Sequence, residues 1–237
     1  MALPRLNEVP QYKLTLPSSD ETINYRPFLV KEQKVLLIAY ESQDESQIVN
    51  AIMTCISNCT DGVDVTKLST FDTDYIFTKI RSKSVGEKVT VTGKCKSCAE
   101  ENEITIDLEQ IRLEGDRKAP RLKITDDIHV NMKYPTYAEF ISNQKIVDGT
   151  ASGTETLFSL LNNCIESIAT NDELISIKDE PKEEVARFIE SLTTEQFSEL
   201  KDFADSIPKI VLDYEFTCEH CNTNNKNKLE GLKDFFS

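Results

Sequence analysis

Two stretches of the chain decide its fold: KVTVTGKCKSC at residues 88–98 and KIVLDYEFTCEHC at residues 209–221. Each opens with β-branched, aromatic and polar residues in the manner of a half-buried strand. Each ends in Cys-x-x-Cys, first at Cys95 and Cys98 and then at Cys218 and Cys221, with a polar turn after it. A second strand pattern follows the first turn at 103–108, and an apolar stretch that includes Leu229 follows the second turn. A Cys-x-x-Cys at the tip of a hairpin turns two sulfurs toward one point. Two such knuckles supply the four thiolates of a closed tetrahedral zinc site. Cys95, Cys98, Cys218 and Cys221 are therefore the expected ligands, and one structural zinc ion the expected cofactor.

The two pairs are separated by about half the chain, so the four-cysteine ribbon has to be split by an insertion. The entropy of closing a loop grows only slowly with its length, whereas zinc binding to a structural site can contribute roughly 10–16 kcal/mol. Two other readings of the cysteines stand beside this one. A redox Cys-x-x-Cys usually opens a helix, whose N-terminus favours the thiolate, and neither pair here precedes a helical pattern. Four free surface thiols left from an ancestral site are the other alternative. Cys55 and Cys59 fall on the apolar face of a helical pattern, and Cys164 shares a stripe with Leu157, Leu161, Ile165 and Ile168. These three read as small core residues.

Outward from the cysteines, residues 11–26 read as an extended segment with a turn at Pro17. Helices are expected over 27–40, 44–58 with its apolar face Ile48, Ile52, Cys55, Ile56 and Cys59, and 70–86 beginning at a Thr70 cap. Short strands near 121–125 and 128–133 are expected to extend the cysteine sheet. A helical block follows, over 137–147, 154–169, 181–192 and 194–206, with a capping-box pattern from Thr193 to Gln196. The fold class expected is α+β: a split four-cysteine zinc-ribbon sheet with N-terminal helices and a C-terminal helical insertion. Its segments are 1–87 (extended start and helices), 88–134 (first knuckle and small sheet), 135–208 (helical insertion) and 209–237 (second knuckle and C-terminal strand).

The composition narrows the function. The 237 residues carry a formal net charge of −14, with a pI near 4.7. Nucleic-acid affinity comes largely from clustered Lys and Arg, and no basic cluster is present, so neither nucleic acid nor an anionic membrane surface is an expected partner. The longest apolar run, 35–39, is too short to span a bilayer. The first residues lack a secretory pattern, which places folding in a reducing cytosol where cysteines stay thiols or bind metal. His129 and His220 are the only histidines, and no nucleophile–base spacing is recognisable. The segment 149–153 lacks the features of a phosphate loop. The chain is not expected to be an enzyme.

Residues 12–19, 23–42 and 71–87, together with the closing 232–236, resemble the baseplate hub subunits and hub-assembly proteins of T-even-like bacteriophages. The resemblance covers most of residues 10–108 and 190–236. It implies a non-enzymatic structural or chaperone-like role in assembling the tail baseplate hub, with other baseplate hub proteins as partners. It also implies a location in the host cytoplasm during assembly, or in the virion if the protein is retained. The metal rests on the spacing in this chain and not on the resemblance. A zinc-ribbon nucleic-acid-binding or transcription factor is the alternative function, and a thiol oxidoreductase the second. The run at 27–40 has more apolar residues than one helix face needs, so it serves either its own core or a docking partner. Arg26 and Lys31 mark the expected docking face, with Phe235 and Phe236 posing the same choice at the C-terminus.

Overall fold

The computed structural model describes residues 9–115, 120–142 and 151–231. Phe235 and Phe236 lie outside the described residues, as does the end of the helix expected at 137–147. The fold is α+β, in two compact units. The first comprises residues 1–65, 71–114 and 209–237; the second comprises 115–208 with the short segment 66–70.

The first unit begins with an antiparallel hairpin of β1 (Tyr12–Thr15) and β2 (Thr22–Tyr25). Three helices follow: α1 (Val30–Ser42), α2 (Glu45–Cys59) and α3 (Thr70–Val85). Asp44 caps α2 by accepting from the Ser46 and Gln47 backbone N–H groups, and Gln43 takes up the left-handed turn between α1 and α2. α3 is buried on more than one side, with Phe71, Ile76, Phe77 and Ile80 nearly inaccessible. Polar ties surround it: the Ser18 N–H donates to Asp72, the Phe28 N–H to Ser84 Oγ, and Ser82 Oγ to Glu109.

The cysteine hairpins complete this unit. β3 (Lys88–Lys94) pairs with β4 (Glu101–Asp107) in a two-stranded sheet. β10 (Lys209–Thr217) pairs with β11 (Asn224–Glu230) on one edge and with β5 (Arg112–Glu114) on the other. Rather than one continuous sheet, the hairpins form two separate sheets that share a core. Val91, Ile104 and Ile106 from the first, with Leu108 just after β4, meet Ile210 and Leu212 from the second. Each such burial is worth about 1.5–3 kcal/mol. At Gly93 a Cβ would collide with the Ile104 side chain of the same hairpin, while the Phe216 ring of the other would be in ordinary contact at 3.4 Å.

The second unit holds its own sheet, in the order β6 (Arg121–Lys123), β7 (His129–Met132), β8 (Ile165–Ala169), β9 (Leu174–Ser176). The strands near 121–133 therefore do not extend the cysteine sheet, because β8 takes the second edge of β7. The helix expected to run through 169 ends at Cys164. α4 (Tyr137–Ile141), α5 (Gly153–Cys164), α6 (Lys182–Glu190) and α7 (Thr194–Asp205) cover the sheet, with Val130, Leu161, Cys164, Ile165, Ile189 and Leu200 in the core. The Thr193–Gln196 capping box is present. The two ends of this insertion meet at Gly115, whose Cβ position would lie 2.7 Å from the Pro208 backbone. In the first unit the flanking residues Glu114 and Lys209 are register partners. The chain thus leaves and re-enters on neighbouring strands, which closes the long loop at its base. Among the described residues no helix is long and apolar enough to cross a membrane.

The structure gives Arg26 a role inside its own unit. It donates to Glu32 at 3.0 Å, to the Pro27 carbonyl at 2.9 Å and to the Asn58 carbonyl at 2.7 Å. Glu32 is buried, accepts the Leu29 N–H at 2.8 Å and lies 3.3 Å from Lys31 Nζ. Arg26 therefore fixes the start of α1 with its side chain mostly covered, while Lys31 of the expected docking face stands exposed. Burial favours the neutral Glu32 carboxyl, but the Leu29 N–H and the Arg26 and Lys31 charges outweigh it and lower its pKa. Removing one member of a buried pair leaves the other uncompensated, so Glu32→Gln is expected to cost about 3 kcal/mol in urea unfolding at neutral pH. Because the folded pKa is depressed, this stabilisation is full above the ordinary value of 4.5. It is lost as pH falls through the folded value. The variant should accordingly lose less stability than the wild type on acidification. Identical acid limbs in the two proteins would rule this out.

Candidate metal centre

Each knuckle is built by the same backbone turn. In the first, the Cys95 N–H donates to the Glu100 carbonyl and the Ala99 N–H to the Cys95 carbonyl, both at 2.9 Å. In the second, Cys218 donates to Thr223 and Asn222 to Cys218 at the same distance. The turn requires a left-handed residue, supplied by Ala99 (φ 62°) and Asn222 (φ 57°). Asn tolerates this conformation better than Ala, so the first knuckle holds the more strained residue. The outcome is one buried sulfur per hairpin, Cys95 and Cys218, and one exposed, Cys98 and Cys221.

The structure brings together all four cysteines singled out from the sequence. Their Sγ atoms all lie within 4.8 Å of one another. Cys95 and Cys221 are 3.6 Å apart, as are Cys98 and Cys218. These separations exceed the roughly 2.05 Å of a disulfide. A tetrahedron with Zn–S bonds of about 2.3 Å has edges of about 3.8 Å, so the donor set fits a tetrahedral divalent ion in size and in chemistry. No other group of three or more potential ligands gathers among the described residues. Cys55, Cys59 and Cys164 are buried and are not members of the four-cysteine group. Burial pushes the Cys164 thiol up to about 12, and the Cys59 side chain, with burial added, pushes Cys55 up as well.

The electrostatics of the cluster are divided. Backbone N–H groups of Cys98 and Ser97, the second 3.4 Å from the sulfur, bring Cys95 down to about 6 against the effect of burial. Burial raises Cys218, but the N–H groups of Cys221 and His220 turn the balance and lower it. At Cys98 the Glu100 N–H favours the thiolate, yet burial and the neighbouring sulfurs outweigh it and push the thiol up to about 12. Sulfurs this close cannot all ionise without a cation among them. Neither His220 nor His129 belongs to the group of gathered ligands.

Sequence reasoning overlooked two residues here, Asn102 and Asn225. They are buried, at 6% and 2% exposure, and each bonds to a cysteine sulfur. The signal was available: an asparagine stands at the same position after both pairs, in CKSCAEEN and CEHCNTNN.

Comparison with known proteins supplies the context for this centre. A family model described as T4 bacteriophage base plate protein matches residues 9–237. The chain is similar to the Baseplate hub assembly protein gp26 of Enterobacteria phage T4, with 24% identity over 226 residues, covering 95% of this chain and 98% of that protein. No solved structure matches. Matched over nearly its whole length, the chain belongs to the T4 bacteriophage base plate protein family.

Proposed function

We propose that the protein is a non-enzymatic structural or assembly component of the phage tail baseplate hub, acting by binding other hub proteins, with its two cysteine hairpins joined by one structural zinc ion. The family match over residues 9–237 carries the baseplate reading, and the name of the T4 relative directs it to hub assembly. Support for zinc comes from the four-sulfur donor set and its spacing. With four protein ligands a tetrahedral ion keeps no open position, so its contribution would be to folding and not to chemistry. A net charge of −14 favours a soluble protein that binds protein partners over one that binds nucleic acid.

The docking face we assign is the outward side of α1. Among the described residues seven large apolar side chains are exposed, and Leu29, Val30, Val35, Leu37 and Ile38 belong to this one helix and its cap. Val30, Leu37 and Ile38 recur at the spacing of one helix face, opposite the buried Glu32, Leu36 and Ala39. Beside them opens a groove of about 330 Å³ lined by Phe28, Leu36, Leu37, Tyr40, Val85 and Val91. An apolar helix face with an adjoining groove is what a partner of matching apolar surface, such as another hub protein, can cover.

Protein purified from zinc-replete cells should carry about one zinc per chain. Cys98→Ser and Cys221→Ser should each release the metal, and the double variant should be little worse than either, because ligands of one ion are coupled. A folded, metal-free wild type sinks the zinc reading; independent, additive losses mean the two pairs act separately.

Leu37→Glu combined with Ile38→Glu should preserve unfolding behaviour and metal content while abolishing co-purification with baseplate hub proteins from infected cells. Mass spectrometry would identify the captured proteins, and the same measurement on purified virions separates a retained subunit from a transient factor. Salt-sensitive DNA binding without capture of any baseplate protein would favour the nucleic-acid-binding alternative. Undiminished capture by the double variant moves the docking face off α1.

A further inference from the structure

The two buried asparagines beside the cysteines are exchanged between the hairpins. Asn102, on the first hairpin, points its Nδ2 at Cys218 Sγ of the second, 3.6 Å away. Asn225, on the second, points its Nδ2 at Cys95 Sγ of the first, 3.5 Å away. The other bonds of each amide follow the same exchange. Asn102 Oδ1 accepts the Glu219 N–H at 2.9 Å, and Asn225 Oδ1 accepts the Lys96 N–H at 2.9 Å. Each Nδ2 also donates within its own turn, to the Glu100 carbonyl at 3.0 Å and the Thr223 carbonyl at 2.9 Å.

This pattern fixes the direction of both amides. A flipped amide would set its NH₂ against a backbone N–H, so the oxygen must face Glu219 or Lys96 and the nitrogen must face sulfur. It also explains why only two of the four sulfurs receive an asparagine. Cys98 and Cys221 are exposed and can be hydrated, whereas Cys95 and Cys218 are buried. A divalent ion held by four thiolates leaves net negative charge on the sulfurs, and a buried share of that charge needs donors from the protein.

Resting on the zinc reading above, we infer that Asn102 and Asn225 are positioning residues for the metal. Each orients and partly neutralises the buried thiolate of the opposite hairpin, so neither hairpin presents a finished half-site alone. The ion is then held tightly only once residues 209–230 have docked on residues 88–107, and binding and docking become one event.

Asn102→Asp and Asn225→Asp separate this role from a purely structural one. Aspartate keeps the oxygen that accepts Glu219 or Lys96 but replaces the Nδ2, which donates both to sulfur and to the Glu100 or Thr223 carbonyl, with a second oxygen, so the readout at the metal rather than stability carries the distinction. Each variant should lose about 10–100-fold in zinc affinity in competition with a chromophoric chelator. Each should also shift the sulfur-to-metal charge-transfer band of the cobalt-substituted protein. Asn102→Ala and Asn225→Ala should weaken zinc as well, with an added loss of stability in the metal-free protein. A second measurement needs no variant: with NMR-active cadmium in the wild type, scalar coupling across sulfur should link the metal to the Asn102 and Asn225 side-chain N–H protons. Aspartate variants that bind zinc as tightly as wild type with unchanged cobalt spectra overturn the assignment, as does a cadmium spectrum lacking both side-chain correlations. A wild type that takes up no zinc, cobalt or cadmium overturns the zinc reading itself and this inference with it.

Discussion

Four cysteine sulfurs from segments half a chain apart occupy a space no wider than 4.8 Å, and the first unit is organised around that convergence. Like charges at such distances repel by several kcal/mol even in a moderately polarisable interior. The protein answers with backbone N–H groups in each knuckle and an amide delivered from the other hairpin. Neither suffices without a chain path that returns the second hairpin to the first. The path exists because Glu114 and Lys209 are register partners and because Gly115 lets the insertion's ends close on Pro208. A side chain at Gly115, with its φ of 126° and backbone 2.7 Å from its Cβ position, would force those ends apart. The insertion can then be large, since its entropic cost is set at a junction that is already closed.

The two hairpins repeat one another in their turns but diverge in their strands. Lys94 faces Glu101 in one and Thr217 faces Asn224 in the other, and the asparagine that reaches across comes one residue later in each. Gly93, however, stands where the second hairpin has Phe216. The space a Cβ at Gly93 would take is filled by the Ile104 side chain of the same hairpin, and the Phe216 ring of the other lies in ordinary contact with it at 3.4 Å. An approximate two-fold relation at the sulfurs thus coexists with an asymmetric core beneath them.

Much of this was readable from the sequence, and the rest was hidden for physical reasons. The cysteine spacing identified the cluster, helical periodicity located α2, and the capping-box pattern at Thr193 located α7. The helix expected through residue 169 failed because Leu157, Leu161, Ile165 and Ile168 keep a helical spacing while the last two lie in β8. Pairing with β7 and β9 overrides that local pattern, and no local signal announces it. β5 has only three residues and exists because β10 offers it an edge. Arg26 resembled a surface charge because the sequence does not reveal that its partner, six residues on, is a buried carboxylate. The asparagines were legible as a repeat, but their exchange between hairpins exists only in three dimensions.

The same buried pair bears on how α1 could serve as a docking element. A helix with apolar residues on two sides gains by burying one side in its own unit and loses by leaving the other in water. If its ends were free, covering the outward side would also require ordering the helix, at a cost set against any affinity gained. Both ends are already fixed. Glu32 accepts the Leu29 N–H and pairs with Arg26 at the start, while the Gln43 N–H closes on the Tyr40 carbonyl and Asp44 begins the next cap. The conformational cost of presenting Val30, Leu37 and Ile38 is therefore met within folding. An overall charge of −14 meanwhile opposes self-association through that apolar face. A partner able to cover α1 must then supply apolar complementarity strong enough, or basic enough at its rim, to overcome the acidity that keeps copies of this chain apart.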